Sequence, residues 1–129
     1  MFVFSSREIF SVFFIGGILY GIIEILFRGY THWSMVITGG LCLLIFYIFN
    51  FLLPVNNFLI RCILSFFVIT TLEYLVGIIV NLKLNWNVWD YSNVAYNIKG
   101  QICLPFSTIW FLFGIPMTFL CNFLRAFLV

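Results

Sequence analysis

Four apolar blocks, each close to the length of a membrane crossing, divide the chain. They run from about Ile9 to Phe27, Met35 to Leu53, Phe58 to Leu82 and Ile102 to Phe119. A hydrocarbon core of roughly 30 Å takes about 20 helical residues to cross. Four crossings therefore use about 80 residues, and the rest must serve as ends and connections. The pattern predicts an all-α integral membrane protein: a four-transmembrane-helix bundle forming a single membrane domain over residues 1–129, with an interfacial polar and aromatic loop before the last helix.

The connections carry their own signals. Arg28-Gly29-Tyr30-Thr31-His32-Trp33-Ser34 is polar and aromatic, suited to a headgroup boundary, and Pro54-Val55-Asn56-Asn57 marks a short turn. Lys83 to Gln101 interleaves polar groups with Trp86, Trp89, Tyr91 and Tyr96. Asp90 or Ser92 is expected to cap one short helical turn there, with Gly100 ending it. Pro105 and Pro116 predict kinks in the fourth span, since each removes a backbone donor and frees a carbonyl one turn back. The tail from Leu120 to Val129 either continues that span or lies along the interface.

Composition removes whole classes of function. The chain is 64% hydrophobic and 8% charged, which excludes a soluble domain. Its six basic residues stand one at a time, so no polybasic cluster exists for nucleic acid. Arg7, Arg61 and Arg125 fall on one side and Arg28, Lys83 and Lys99 on the other, an even split that gives no orientation. The first apolar run lacks a small-residue cleavage site and reads as a retained span. Cys42, Cys62, Cys103 and Cys121 sit alone in apolar runs and read as small buried hydrophobes. No phosphate-binding G-x-x-x-x-G-K-[ST] loop occurs, so any use of ATP needs a separate chain. No cofactor is implied, no ligand spacing supports a metal at His32, and no nucleophile stands with a positioned base that would mark a catalytic residue.

The informative residues are polar groups within or beside the spans. An ionised side chain at mid-span costs on the order of 2.5 to 3.5 kcal/mol on insertion scales, so Glu24 and Glu73 each need a partner or a purpose. Spans one and three run the same way, which brings both acids to the leaflet that also holds Arg28 and Asp90. Gly17, Gly21, Glu24 and Arg28 form one helical stripe; Thr70, Glu73 and Gly77 form a second; Cys103, Ser107, Trp110 and Gly114 form a third. These three stripes are expected to face each other. Three readings stay open: charges that only fix helix packing, a polar cavity open to one face that binds an ion, headgroup or small solute, or acids resting in the interface.

Trp89 to Leu104 reads WDYSNVAYNIKGQICL, followed by PFSTIWFLFG, and this resembles the ABC-transporter type IV, or CmpB-like, permeases of bacterial membranes. The resemblance rests on Trp89, Asp90, Tyr91, Ser92, Asn97, Gly100, Ile102, Cys103, Leu104, Ser107 and Trp110, with Glu73 and the Tyr20-Gly21-x-x-Glu24 and Arg28 positions upstream. Gln101 departs from it where a basic residue is expected, and Thr38-Gly39-Gly40 stands for a longer Gly/Pro-rich segment. The resemblance implies a multi-pass protein of the bacterial cytoplasmic membrane. Its binding candidates are Glu24, Arg28, Glu73, Trp89, Asp90, Tyr91, Ser92, Asn97 and Ser107. Asp90 is expected to turn toward Arg28 or Lys99, with Asn97 and tyrosine hydroxyls completing a lid.

Three functions compete at this stage. The first is a transport-related component, embedded in the lipid bilayer, that works as a homo-oligomer or with separate membrane or ATPase subunits. The others are a membrane enzyme acting on a lipid-linked substrate, with an acid as proton carrier and Arg28 holding phosphate, and a non-catalytic accessory subunit.

Overall fold

The computed structural model describes residues 3–129, and among them four helical passages are long and apolar enough to cross a membrane. The first is α1 (Ser6–Arg28) and the second α2 (Trp33–Leu52). The third is α3 (Phe58–Gly77), extended by a π-helical stretch, Ile78–Lys83. A loop with the short strands β1 (Asn97–Ile98) and β2 (Ile102–Cys103) leads into the fourth passage, α4 (Leu104–Leu112) and α5 (Gly114–Leu128).

Each boundary has a local cause. Ser5 caps α1 in a capping box: its hydroxyl accepts from the Glu8 amide at 3.1 Å, and the Glu8 carboxylate accepts from the Ser5 amide at 3.3 Å. Gly29 closes the helix in the left-handed conformation, φ 82°, donating to Ile25 O. The imidazole of His32 caps α2 by accepting the Ser34 amide, and Asn57 caps α3 through Leu59.

The glycine stripe of α1 does not face the third and fourth passages, as its spacing led us to expect. It packs on α2. A Cβ at Gly17 would lie 2.7 Å from Val36 O, and one at Gly16 would lie 2.6 Å from Leu43 Cβ. Gly39 and Gly40 of α2 answer by admitting Tyr20 and Phe13 of α1. α1 and α2 thus pack as antiparallel neighbours whose close approach depends on absent side chains at both surfaces. The other two stripes do meet: Thr70 and Ser107 share a hydrogen bond at 3.1 Å, and Gly114 lies against the backbone of Arg61 and Cys62.

The prolines act differently from one another. Pro105 occupies the first turn of α4, where its missing donor costs no intrahelical bond. Pro116 sits one turn past the break at Phe113, and its ring removes the bond that would have crossed that break. Beyond Phe119 the fourth passage continues as helix to Leu128, the first of the two courses expected for the tail. Two antiparallel junctions and one loop place the ends of α1 and α3 and the start of α4 at one end, the loop end. The α2–α3 turn, the start of α1 and the end of α5 occupy the other, the turn end.

Candidate functional site

Glu73 is the most enclosed charged group at the loop end, 3% exposed. Its Oε2 accepts from the Tyr91 hydroxyl at 3.1 Å and its Oε1 from the Trp110 indole at 3.3 Å. Burial, and then the charge of Glu73, hold the Tyr91 phenol well above its ordinary range, so it stays a donor. Tyr91 is fixed from behind by stacking on Phe106 at 4.9 Å, and Trp110 by Tyr20 and Phe113. Ser65 accepts nothing from the indole but donates to the Trp110 carbonyl at 2.6 Å, anchoring that turn of α4 to α3.

Beside Glu73 lies a cavity of about 280 Å³ walled by α1, α2, α3 and the break in the fourth passage. Tyr20, Thr38 and Glu73 are its polar contributors, and the rest of the wall is apolar. Leu19 and Pro116, both exposed, stand at its edge and lie midway along their passages. The exposed part of the lining thus lies on α1 and α5, away from the helix ends. The cavity's small volume sits at the lower edge of ordinary ligand pockets, roughly 300–1,000 Å³.

The remaining candidates fall into separate groups. Glu24 and Arg28 form an ion pair, Nε to Oε2 at 3.1 Å, with Thr31 donating to Glu24 at 3.1 Å. Arg28 also donates to the Val88 carbonyl at 2.8 Å and lies 4.5 Å over the Tyr30 ring, so it ties the loop to α1. Neither Glu24 nor Arg28 lines the Glu73 cavity. Ser107 is buried against Thr70, one turn from Glu73.

The loop that holds Trp89 to Cys103 is a hairpin rather than the helical turn expected from Asp90 or Ser92. Lys99 and Gly100 both have positive φ, 53° and 71°, and the Gln101 amide donates to Ile98 O, the signature of a type I′ turn. Asn97↔Cys103 and Ile98↔Ile102 pair across it. Asp90 does not reach Arg28 or Lys99. Its carboxylate accepts the Ser92 amide at 2.8 Å and packs against Gly100; that amide bond holds this exposed acid below its ordinary range. Asn97 donates to the carbonyls of Val94 and Ser92 and accepts from the Gly100 amide. Side-chain length explains the difference: a short Asp finds the amide two residues on before it can span to a helix.

Gln101, which stands where a basic residue was expected, is 3% exposed and organises the whole loop. Its carbonyl accepts the Trp89 indole at 2.9 Å, its Oε1 accepts from Asn81, and its Nε2 donates to Lys99 O. Asn81 in turn accepts the Val88 amide. Asn81 and Gln101 were invisible as a pair because they stand twenty positions apart, at opposite ends of the loop.

Sequence reasoning also missed the turn end. Glu8, 1% exposed, pairs with Arg125 at 2.5 Å and accepts from the Tyr47 hydroxyl. Arg61 donates to Asn50 Oδ1 at 2.7 Å and Asn50 O at 2.9 Å, and Asn50 reaches Asn122. The available signal was Asn122 with Arg125, two polar residues three apart in an otherwise apolar tail.

Four apolar passages with polar and charged groups buried between them define a small multi-pass membrane protein. The chain belongs to the family described as Putative ABC-transporter type IV, whose profile matches residues 11–128, nearly the whole length. By its family it is an ABC-transporter-related membrane protein. No curated protein and no solved structure matches it.

Proposed function

We propose that this protein is a transport-related component of the bacterial cytoplasmic membrane that takes an amphipathic molecule sideways from the bilayer. The apolar tail of that molecule occupies the cavity between α1 and α5, and its cationic or hydrogen-bond-donating head meets Glu73. The observation that carries the reading is a buried carboxylate in the wall of an apolar cavity whose exposed lining residues, Leu19 and Pro116, lie midway along their passages. Tyr91 and Trp110 each supply one donor to Glu73, and a carboxylate accepts about four hydrogen bonds, which leaves capacity for a ligand head. Such intramembrane acids mark substrate or ion paths by default.

The binding candidates of the loop act indirectly in this account. Trp89, Asp90, Ser92 and Asn97 build the hairpin that seats Tyr91, while Glu24 and Arg28 hold that hairpin on α1. Energy from ATP comes from a separate subunit, since the chain has no phosphate-binding loop of its own. The test uses protein in lipid nanodiscs and two matched probes, dodecylammonium and dodecanol. Dodecylammonium binds the wild type at least ~10-fold more tightly than Glu73→Gln, as expected for loss of a charged partner. Dodecanol binds the two proteins alike. Equal dodecylammonium affinity in both proteins overturns the reading.

A further inference from the structure

At the turn end, independently of Glu73, Arg61 presents an unbalanced charge. The residue is 3% exposed, yet no carboxylate lies within ion-pair distance of it among the described residues. Its Nε and Nη2 are used by Asn50, while Nη1 is shut off from solvent and has no hydrogen-bond partner. A guanidinium offers five donors and does not lose its proton, so burial cannot neutralise it. An enclosed cation left with neutral amides alone is costly, and an anion removes that cost.

Arg61 also lines an open cleft of about 600 Å³ at the α2–α3 turn, together with Asn50, Asn56, Asn122 and Pro54. Asn56 and Asn122 are exposed and bring amide donors to the rim. This combination of one unpaired guanidinium and several neutral amides suits a phosphate oxyanion, because the guanidinium supplies charge and the amides supply geometry. Carboxylates near the turn end are committed elsewhere: Glu8 is taken by Arg125 and Tyr47.

We propose that the Arg61 cleft is a phosphate-binding site. The phosphate belongs either to an anionic lipid headgroup or to a free phosphate ion, and the cleft lies where helix ends meet the headgroup layer. The experiment compares wild type, Arg61→Gln, Asn122→Asp and Arg7→Gln in nanodiscs of a phosphate-free galactolipid. Each is titrated separately with phosphatidylglycerol and with inorganic phosphate. Asn122→Asp keeps the oxygen that Asn50 uses while placing an internal anion in the cleft, so it remains informative if Arg61→Gln fails to fold. Arg7 is exposed and outside the cleft.

Wild type and Arg7→Gln gain melting temperature with the logarithm of anion content, as linkage requires, and retain one bound phosphate species in native mass spectra. Asn122→Asp melts higher than wild type in the plain galactolipid and loses both responses. A response to phosphatidylglycerol alone identifies a lipid headgroup, and a response to inorganic phosphate identifies the free ion. Failure of both anions to shift the wild type, or an Asn122→Asp response equal to wild type, overturns the proposal.

Discussion

Alanine at Gly17 and alanine at Gly21 should have opposite consequences, although the two residues share one stripe of α1. A Cβ at Gly17 would stand 2.7 Å from the Val36 carbonyl oxygen and 3.0 Å from Val36 Cγ1. Non-bonded heavy atoms rest at roughly 3.5–4.0 Å, so α1 and α2 must part by several tenths of an ångström, and the first obstacle is backbone that no rotamer change can move. Overpacking of this kind costs about 1–3 kcal/mol. At Gly21 the nearest atom is Val36 Cγ2 at 3.5 Å, an ordinary contact. Replacing glycine by alanine also favours the helix by up to about 1 kcal/mol at either site, and that term cancels in the comparison. Gly17→Ala should therefore be less stable than Gly21→Ala by about 1–3 kcal/mol, roughly a 5- to 150-fold difference in the unfolding equilibrium. Reversible unfolding in mixed micelles, followed by tryptophan fluorescence, measures this directly. Were the stripe a self-association face, both variants would weaken dimer energy transfer in bilayers and unfold alike; that result would refute the assignment of Gly17 to α2.

Three further outcomes follow from individual contacts. Tyr47→Phe removes the hydroxyl that donates to Glu8 and should cost about 1.5–3 kcal/mol in the same unfolding assay, with Tyr30→Phe near zero. Pro116→Ala restores a backbone donor at the break in the fourth passage, so spin labels at Thr108 and Phe123 should move apart by electron-electron distance measurement; an unchanged distance means that Phe113, not Pro116, sets the bend. The Asp90 carboxylate, held below its ordinary range by the Ser92 amide, protects that amide above the carboxylate's unfolded pKa and releases it as pH falls through the lower folded value. Hydrogen exchange at Ser92 should therefore stay protected from neutral pH down through the usual carboxylate range, and Asp90→Ala should lose the protection at every pH.

The passages were legible because bilayer crossing imposes a length and polarity that local sequence must satisfy. The capping box of Ser5 with Glu8 and the Asn57 cap are equally local, yet the apolar pattern began the first span at Ile9 and showed Asn57 only as part of a turn. What the pattern withheld was the identity of neighbours. Spacing puts Gly17, Gly21 and Glu24 on one face of α1, but it carries no information on whether α2 or α4 covers that face. The course of the tail after Phe119 stayed open between two readings because its partners lie far away in sequence: Asn122 accepts from Asn50, and Arg125 donates to Glu8. Thr70, Glu73, Ser107 and Trp110 were readable as two facing stripes, whereas the Tyr91 contact depends on a hairpin set by backbone conformation at Lys99 and Gly100.

The most direct test of the central claim is to place the ligand. A photoreactive long-chain alkylammonium, activated in nanodiscs containing the protein and mapped by peptide mass spectrometry, should label residues at the mouth and wall of the cavity, Leu19, Pro116 and Leu120. That labelling should be displaced by unlabelled dodecylammonium and lost in Glu73→Gln. Labels spread over lipid-facing residues such as Phe27 and Phe67, unaffected by competitor or by Glu73→Gln, would contradict the account.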